Sequence, residues 1–333
     1  MKNIYFALLG ACIIFGSCST GDIAAAAAQI LGGSSKAPLF LDCKAVSESE
    51  IEFTFSQPVK VVSLTFEPKL TIASVEDGST VRVKVEETTG PGAKFTADLL
   101  AEDDSRNTIN VLVPFKSRNN RIPALVINEF RTEYSKPKVE FIELKMKKAG
   151  NLGAARVFIA GGSQKPSFYE FSPVEVKEGE YVVLHLRTIE DNCKDEYGEN
   201  LDESGGTDSS PAARDFWIPG ANKLFNKTGV VYVLNQDDCV LDAVMFSETP
   251  DSWWKKDYLA EAAEFLYAQG AWKSANGTIC RPADAISSAG TTATRTICRN
   301  ETTANTNTAA DWYITATSSA TPGKPNNPKR YEP

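Results

Sequence analysis

The stretch from Ala124 to Leu144, with the sequence ALVINEFRTEYSKPKVEFIEL, constrains the fold of this chain more than any other part. It contains two apolar runs, at 124–127 and 139–144, separated by a polar turn around Ser135, Lys136 and Pro137. Apolar runs of this length that are bounded by turn formers are typical of paired β-strands. The sequence therefore predicts a strand, a turn and a second strand in the middle of the chain.

Short β-type segments also recur before this stretch, at 39–46, 50–55, 70–75, 80–86, 94–102 and 108–115. Turn formers such as Gly90-Pro91-Gly92 separate them, and residues 51–55 alternate apolar and polar side chains, which places one face of a strand inward. Residues 117–123 are polar and end in proline, which is typical of a joint between domains. Several short strands with such punctuation predict a β-sandwich.

Further strands are predicted after the central stretch, at 156–159, 169–171, 181–186, 230–235 and 240–246. Ile127-Asn128-Glu129, followed by residues 140–144, resembles the opening of the lamin-tail domain, and residues 320–326 resemble its closing segment. Residues 53–59 resemble an early strand of bacterial immunoglobulin-like (Ig-like) domains. The resemblance implies an all-β fold with two Ig-like β-sandwiches in tandem, the second lamin-tail-like with a short helical insertion.

The predicted organisation is a signal peptide (1–17), a lipidated tether (18–36), an Ig-like sandwich (37–118), a lamin-tail-like sandwich (122–326) and a tail (327–333). Two insertions interrupt the second sandwich, an acidic one near 190–211 and a second near 252–288. Within the second, residues 257–269 carry an apolar stripe and predict an amphipathic helix. We expect Asp257 to cap this helix and Gly270 to end it.

The N-terminus has the features of a secretory signal, because Lys2 precedes an apolar run from Ile4 to Phe15. Phe15-Gly16-Ser17-Cys18 resembles a relaxed, spirochaete-type bacterial lipobox, which implies lipidation of Cys18. Cys12 has a tidier context, but it would leave an apolar core shorter than the ~7 residues that a signal needs. The alternative is an ordinary cleaved signal with an incidental cysteine. We therefore expect an exported protein that is lipid-anchored in the cell envelope, at the outer membrane or on the periplasmic side.

Outside the cytoplasm, cysteines are expected to pair. Cys280 and Cys298 flank a Ser/Thr/Ala-rich segment and are one candidate disulfide, while Cys193 and Cys239 in the central sandwich are another. Cys43 would then be left over. No CxxC spacing and no histidine cluster is present in the sequence, so no metal site of the zinc type is expected.

The sequence contains one histidine, His185, and no nucleophile elbow, P-loop or HExxH motif. We expect His185 on the surface of a strand, on the same face as Val183, rather than in a catalytic site. Glu140 and Glu143 are three positions apart, which places them on opposite faces of a strand and prevents a paired-carboxylate site. For these residues and Glu129 we favour a structural role as hydrogen-bond acceptors at strand ends.

The sequence offers two weaker candidate ligand sites. In the acidic insertion the candidate calcium ligands are Asp191, Asp195, Glu196 and Asp202. However, Glu196 stands where the EF-hand loop requires glycine, so a solvated acidic loop is favoured. Trp253 and Trp254 are a candidate platform for sugar rings, although a core role is favoured. The lysines at 145, 147 and 148 are interpreted as a solvated turn.

The formal net charge is −8, which disfavours binding of nucleic acid through a whole-domain positive field. The predicted function is a non-enzymatic envelope lipoprotein without a cofactor, displayed for adhesion or for binding an unknown protein or extracellular polymer. An accessory binding module for extracellular nucleic-acid or glycan processing is the alternative. A weak hydrolase that uses Glu129 or the acidic insertion is a third hypothesis.

Overall fold

The computed structural model describes residues 36–161, 165–275 and 277–333. The predicted signal peptide, the lipidation site Cys18 and the tether up to Ser35 lie outside the described residues. The chain divides into two compact units. The first comprises the described residues up to Lys44 together with Ile51–Glu86 and Thr96–Pro114, and the second comprises Ala45–Glu50, Glu87–Phe95 and Phe115–Pro333.

The first unit is built from six strands, namely β1 (Phe40–Ala45), β2 (Glu50–Glu67), β3 (Ile72–Glu76), β4 (Gly78–Val85), β5 (Lys94–Glu102) and β6 (Thr108–Lys116). Their order in the sheet is β3-β4-β2-β5-β6, and β1 pairs with β2. Alternate side chains of β2 and β4, such as Phe53, Phe55, Val81 and Val83, are buried. The alternation seen in the sequence therefore defines the core of this unit.

The second unit contains thirteen strands and one α-helix in its described residues. They are β7 (Leu125–Arg131), β8 (Phe141–Met146), β9 (Gly150–Asn151), β10 (Arg156–Ala160), β11 (Ser167–Glu170), β12 (Glu175–Val176), β13 (Tyr181–His185), β14 (Arg214–Trp217), β15 (Gly229–Leu234), β16 (Val240–Ser247), α1 (Asp257–Ala268), β17 (Ile286–Ser287), β18 (Ile297–Arg299) and β19 (Trp312–Ile314). The predicted strand pair at the centre of the chain is confirmed, because β7 and β8 pair antiparallel.

Two sheets enclose the core of the second unit. One has the strand order β14-β13-β8-β7-β18-β19 and the other has the order β11-β10-β15-β16-β17, while β9 and β12 form a separate pair. Apolar side chains from both sheets join in one hydrophobic cluster that includes Ile127, Leu144, Val231 and Phe246. Two sheets packed face to face over one core form a β-sandwich. The prediction of an all-β sandwich fold is confirmed.

The predicted helix is present as α1, which packs on β15 and β16. Its apolar stripe, Leu259, Ala262, Ala263 and Leu266, is buried in the core. The predicted cap differs, because Asp257 is the first helical residue and the cap position falls on Lys256, whose side chain makes no capping bond. Gly270 follows the helix with φ of 68°, a left-handed conformation that suits glycine at a helix end.

No helix in the described ranges is long and apolar enough to cross a bilayer, since α1 has 12 residues and the length needed is about 20.

Candidate functional site

The six-stranded sheet of the second unit has a polar outer face, the face that points away from the main hydrophobic cluster. Strand register places Glu129 of β7 opposite Glu143 of β8, and Glu143 opposite Val183 of β13. His185 lies two residues further along β13, and Asp215 of β14 pairs with Val183. These ionisable side chains are buried, so other segments of the chain must cover the outer face.

The C-terminal segment, residues 318–327, is one of these covers, and Glu129 and Glu143 hold it in place. Glu129 accepts hydrogen bonds from the backbone N–H of Thr321 at 3.0 Å and from its hydroxyl at 3.1 Å. Glu143 accepts one from the backbone N–H of Gly323 at 2.6 Å and one from Asn128 Nδ2 at 2.8 Å. Each carboxylate therefore fastens the C-terminal segment to the sheet.

Burial raises the pKa of Glu129, although Thr296 and Thr321 donate hydrogen bonds to it. Burial raises the pKa of Glu143 well above its usual range, and the charge of Glu129 raises it further. Glu140 is separate from this pair, because it accepts a hydrogen bond from Nη2 of the buried Arg187. The different partners of Glu140 and Glu143 agree with the strand parity that separated them in the sequence, and the bonds agree with a structural role.

His185 is buried, so the expectation of a surface histidine is wrong. Its Nε2 lies 2.7 Å from Asp215 Oδ1, and its ring stacks on Trp217 with 3.7 Å between ring centroids. Within the described part of the chain Nδ1 has no hydrogen-bond partner. Strand parity placed His185 on the same face as Val183 correctly, but it did not show that the acidic insertion covers this face.

The acidic insertion is held down by its own carboxylates, which the sequence suggested as calcium ligands. Both oxygens of the buried Glu196 accept backbone N–H groups, from Glu203, Ser204 and Asp215. Asp195 accepts the N–H of Trp217 at 2.8 Å, while Asp191 and Asp202 are exposed. Across residues 36–161, 165–275 and 277–333 no group of three acidic, histidine or cysteine side chains converges on a metal position. The four candidate carboxylates therefore do not converge on one position in the described residues, and backbone donors already occupy those that point inward.

The five described cysteines are free thiols, so neither predicted disulfide is present. Cys280 is buried beside the backbone carbonyl of Trp272, whereas Cys298 is buried beside Thr296 on the outer face. Cys239 is exposed in a turn and Cys193 is half-buried in the acidic insertion. The predicted pairs do not form because the members of each pair belong to different parts of the second unit.

The two neighbouring tryptophans differ in their surroundings. Trp254 packs against the main core and donates from Nε1 to the carbonyl of Cys280 at 3.0 Å. Trp253 is 64% exposed, and the guanidinium of Arg281 lies over its ring at 4.9 Å from the centroid. Trp254 thus has the core role that the sequence favoured. Both tryptophans line one cavity of about 170 Å³, but only Trp253 is exposed, and it carries a cation on one face.

A polar cleft of about 400 Å³ opens at the edge of the outer face, and we call it the cationic cleft. It is lined by three cationic side chains, one carboxylate, six hydroxyl-bearing side chains and two small apolar ones: Arg131, Lys138, Lys324, Asp208, Thr207, Ser209, Ser210, Thr294, Ser318, Thr321, Ala320 and Pro322. Positive charge therefore exceeds negative charge in the cleft of a chain that is acidic as a whole.

Arg131 forms the fixed base of the cationic cleft. It is 3% exposed, and its Nη1 donates to the carbonyl of Val139 at 2.9 Å and to Asp208 Oδ2 at 2.5 Å. Its guanidinium also lies 4.8 Å from the centroid of the Phe141 ring. Asp208 Oδ2 in turn accepts the N–H of Val139 at 2.8 Å. These contacts hold Arg131 and Asp208 in one orientation.

The two lysines of the cleft are not neutralised locally. Among the ion pairs of the described residues, none involves Lys138 or Lys324, while Asp208 is paired with Arg131. Lys138 is half-buried and Lys324 is exposed. Both ammonium groups are therefore accessible at a cleft whose single carboxylate already has a partner.

No sequence motif pointed to the cationic cleft, because its lining comes from four separate parts of the chain. Arg131 and Lys138 flank the central turn, residues 207–210 end the acidic insertion, Thr294 precedes β18, and the remainder belongs to the C-terminal segment. The resemblance of residues 320–326 to a closing segment was the one indication in the sequence that this segment returns to the central strand pair.

The fold and the outer face define an all-β sandwich protein with a covered polar sheet face. Residues 123–314 match the family model described as TP_1001_2nd, protein second domain. Because this match covers more than half of the chain, the chain belongs to that family.

An uncharacterized protein of Treponema pallidum (strain Nichols) is 30% identical over 186 residues, which are 52% of this chain and 46% of that protein. The aligned region thus spans about half the length of the relative. This relative fits the spirochaete-type resemblance of the N-terminus. Among solved structures, the N-terminal part of the bacterial S-layer protein SbsC shares 15% identity at a TM-score of 0.24, covering 44% of this chain and 40% of that chain.

Proposed function

We propose that the chain is an exported lipoprotein of the cell envelope, anchored through Cys18, whose second unit is a lamin-tail-like binding module for a protein or extracellular polymer. The first unit would then be an Ig-like spacer. The observation that carries the proposal is the cationic cleft, in which Lys138 and Lys324 lack carboxylate partners in the described residues beside a firmly held Arg131. A rigid sheet edge with unused donors is suited to recognition.

The buried carboxylates of the outer face support binding over catalysis. Glu129, Glu143 and Glu196 each spend their oxygens on backbone or side-chain donors that hold covering segments in place. A general acid or base needs a carboxyl group within reach of a substrate proton. Because these carboxyls serve the fold, recognition is the function that the second unit supports best.

The anchor is tested by metabolic labelling with a palmitate analogue in cells that express the full chain. We expect label on the wild type and on Cys12→Ala, and loss of label with release from the membrane fraction for Cys18→Ala. Equal labelling of all three proteins, or no labelling of any, would remove the anchor from the proposal.

The binding role is tested with immobilised protein and soluble envelope extract. Retention of extract polymer or protein should fall for Lys138→Ala/Lys324→Ala and stay unchanged for Lys147→Ala/Lys148→Ala. Lys147 and Lys148 are exposed lysines outside the cleft, so the second variant removes the same charge elsewhere. Equal retention by both double variants would show that the cleft is not the binding surface.

A further inference from the structure

We propose that the cationic cleft binds the tetrahedral oxyanion of a small phosphorylated or sulfated ligand, an inference that rests on the proposed binding role of the second unit. The evidence lies in the local charge, in the state of Arg131 and in the size and polarity of the cleft.

The local charge of the cationic cleft calls for a negative ligand. Arg131, Lys138 and Lys324 face one carboxylate, Asp208, although the whole chain carries a net charge of −8. Like charges gathered in one cleft repel each other, and an anion seated among them removes that repulsion. A local excess of positive charge is not expected from the overall charge of an acidic protein, and it is typical of a site that binds an anion.

Arg131 lines the cationic cleft and carries one donor without a partner in the described residues. Its Nη1 is occupied by Val139 and Asp208, but its buried Nε has no acceptor in the described residues. A buried donor without a partner costs roughly 1–3 kcal/mol. The Nε side of a guanidinium is the side used for bidentate recognition of phosphate and related oxyanions. Arg131 is 3% exposed, so a small shift of its guanidinium is needed before Nε can reach a ligand in the cleft.

The remaining lining fits the other oxygens of such a ligand. Three of the six hydroxyl groups already donate within the protein, those of Thr207, Ser209 and Thr321. The hydroxyls of Ser210, Thr294 and Ser318 are left to donate to phosphate or sulfate oxygens. Ser318 of the C-terminal segment is exposed at the cleft, and its backbone has the left-handed φ of 58°, which is uncommon for a residue with a side chain. Only two of the lining residues, Ala320 and Pro322, are apolar.

The size of the cleft sets the scale of the ligand. At about 400 Å³ it falls in the ~300–1,000 Å³ range of small-molecule sites. That volume takes an oxyanion together with a polar body of about the size of one sugar ring. A phosphorylated or sulfated monosaccharide, free or as part of a glycan, has this combination of charge, size and polarity.

Calorimetric titration of the full-length wild-type protein tests the inference with a hexose phosphate, a hexose sulfate and the uncharged hexose as probes. We expect heat from at least one of the two esters and none from the hexose, and the stronger of the two esters identifies the oxyanion. Lys138→Ala/Lys324→Ala should weaken binding at least tenfold, whereas Lys147→Ala/Lys148→Ala should retain wild-type affinity. Circular dichroism confirms that both double variants are folded.

Three results would overturn the inference, namely no heat from either ester at millimolar concentration, equal binding of the uncharged hexose, or equal weakening in both double variants. The extract-retention experiment separates this failure from failure of the proposed function. If the wild type retains envelope material through Lys138 and Lys324 while both esters fail, the binding role stands and the ligand class is wrong. If retention also fails, both proposals fall.

Discussion

Glu129 and Glu143 lie opposite each other on neighbouring antiparallel strands, a position in which like charges destabilise a sheet. The fold offsets this repulsion with donors brought from far along the chain, since Thr321 and Gly323 are 192 and 180 residues away in sequence. Burial is the main cause of the raised pKa of Glu143, and the charge of Glu129 raises it further, so proton uptake by the pair relieves the remaining repulsion. The two carboxyls therefore combine structural anchoring with sensitivity to pH.

The cysteines give a prediction at the scale of single residues. In the folded protein a maleimide should modify the exposed Cys239 quickly and should leave the buried Cys280 and Cys298 unmodified. Burial also raises the pKa of Cys280 to about 12 and that of Cys298 well above its usual range, so neither thiolate forms near pH 7. Peptide mass mapping before and after unfolding measures the difference.

Guanidinium chloride without a reductant should expose all five described thiols to the maleimide. A peptide in which Cys280 is joined to Cys298, or Cys193 to Cys239, would contradict the free thiols of the structure and restore the disulfides expected from the sequence.

At the scale of elements, the C-terminal segment is fixed by Asn326 as well as by the two glutamates. Asn326 Nδ2 donates to the carbonyl of Arg299 at 2.8 Å and to the carbonyl of Asn128 at 3.1 Å. Asn326→Ala should destabilise the second unit by roughly 1–3 kcal/mol, because both acceptors lose a donor. Denaturant unfolding measures this change. Asn305→Ala, at an exposed position with a local turn bond, should change stability little, and a similar loss in both variants would count against the anchoring role.

Helix α1 provides a second test at this scale. Leu266 is fully buried against the core, while Glu264 on the same helix is exposed. Leu266→Ala should reduce the free energy of unfolding by roughly 2–5 kcal/mol, because it removes buried apolar volume and leaves a cavity. Glu264→Ala should have an effect of at most about 0.5 kcal/mol. Thermal and denaturant melts that place both variants at the wild-type midpoint would show that α1 contributes little to the core.

How well a strand is predicted depends on whether its buried residues are apolar or charged. Strand β5, with alternating apolar residues, and strand β16, with a continuous apolar run, were predicted close to their observed bounds. Strand β14, with the sequence RDFW, was missed because two charged residues hide its burial. Arg214 is 2% exposed and donates to Glu180 at 2.8 Å, so a tertiary ion pair makes this strand compatible with the interior.

At the scale of the whole molecule, the sequence did not show which segments of the chain cover the outer face of the sheet. Parity assigned His185 to the right face of its strand, but the burial of that face depends on an insertion whose carboxylates find backbone donors only in three dimensions. The cationic cleft has the same origin, because Lys138 and Lys324 are 186 positions apart in the sequence and meet only when the C-terminal segment returns to the sheet. Composition and periodicity carry no information about such contacts between residues that are far apart in the sequence.

The pH dependence of stability is a property of the second unit as a whole. Burial raises the pKa of four carboxyls, those of Glu129, Glu143, Glu196 and Asp242. The pKa of Asp242 reaches about 6 despite its contact with Arg299. In the unfolded chain the pKa of such a carboxyl is about 4. A carboxyl with a raised folded-state pKa contributes stability that is fully present below the unfolded pKa and is lost as pH rises through the folded pKa. The melting temperature should therefore fall between about pH 5 and pH 8.

Glu143→Gln isolates the contribution of one carboxyl, because glutamine mimics its protonated form. The fall in melting temperature from pH 5 to pH 8 should be smaller in this variant than in the wild type, whereas the exposed control Glu178→Gln should retain the wild-type slope. Scanning calorimetry at several pH values measures both slopes. Identical slopes in all three proteins would show that Glu143 stays ionised in the folded state.

The attachment of the C-terminal segment to β7 and β8 also sets an order of events in folding. Glu129 and Glu143 lie on the first two strands of the second sandwich, yet their donors at Thr321 and Gly323 are 192 and 180 residues further along the chain. Contacts of such long sequence separation form slowly, since the loop they close must first be ordered. During synthesis the outer face of this sandwich therefore stays open until Thr321 and Gly323 have emerged, and the native state is reached by a late closing step rather than strand by strand from the N-terminus.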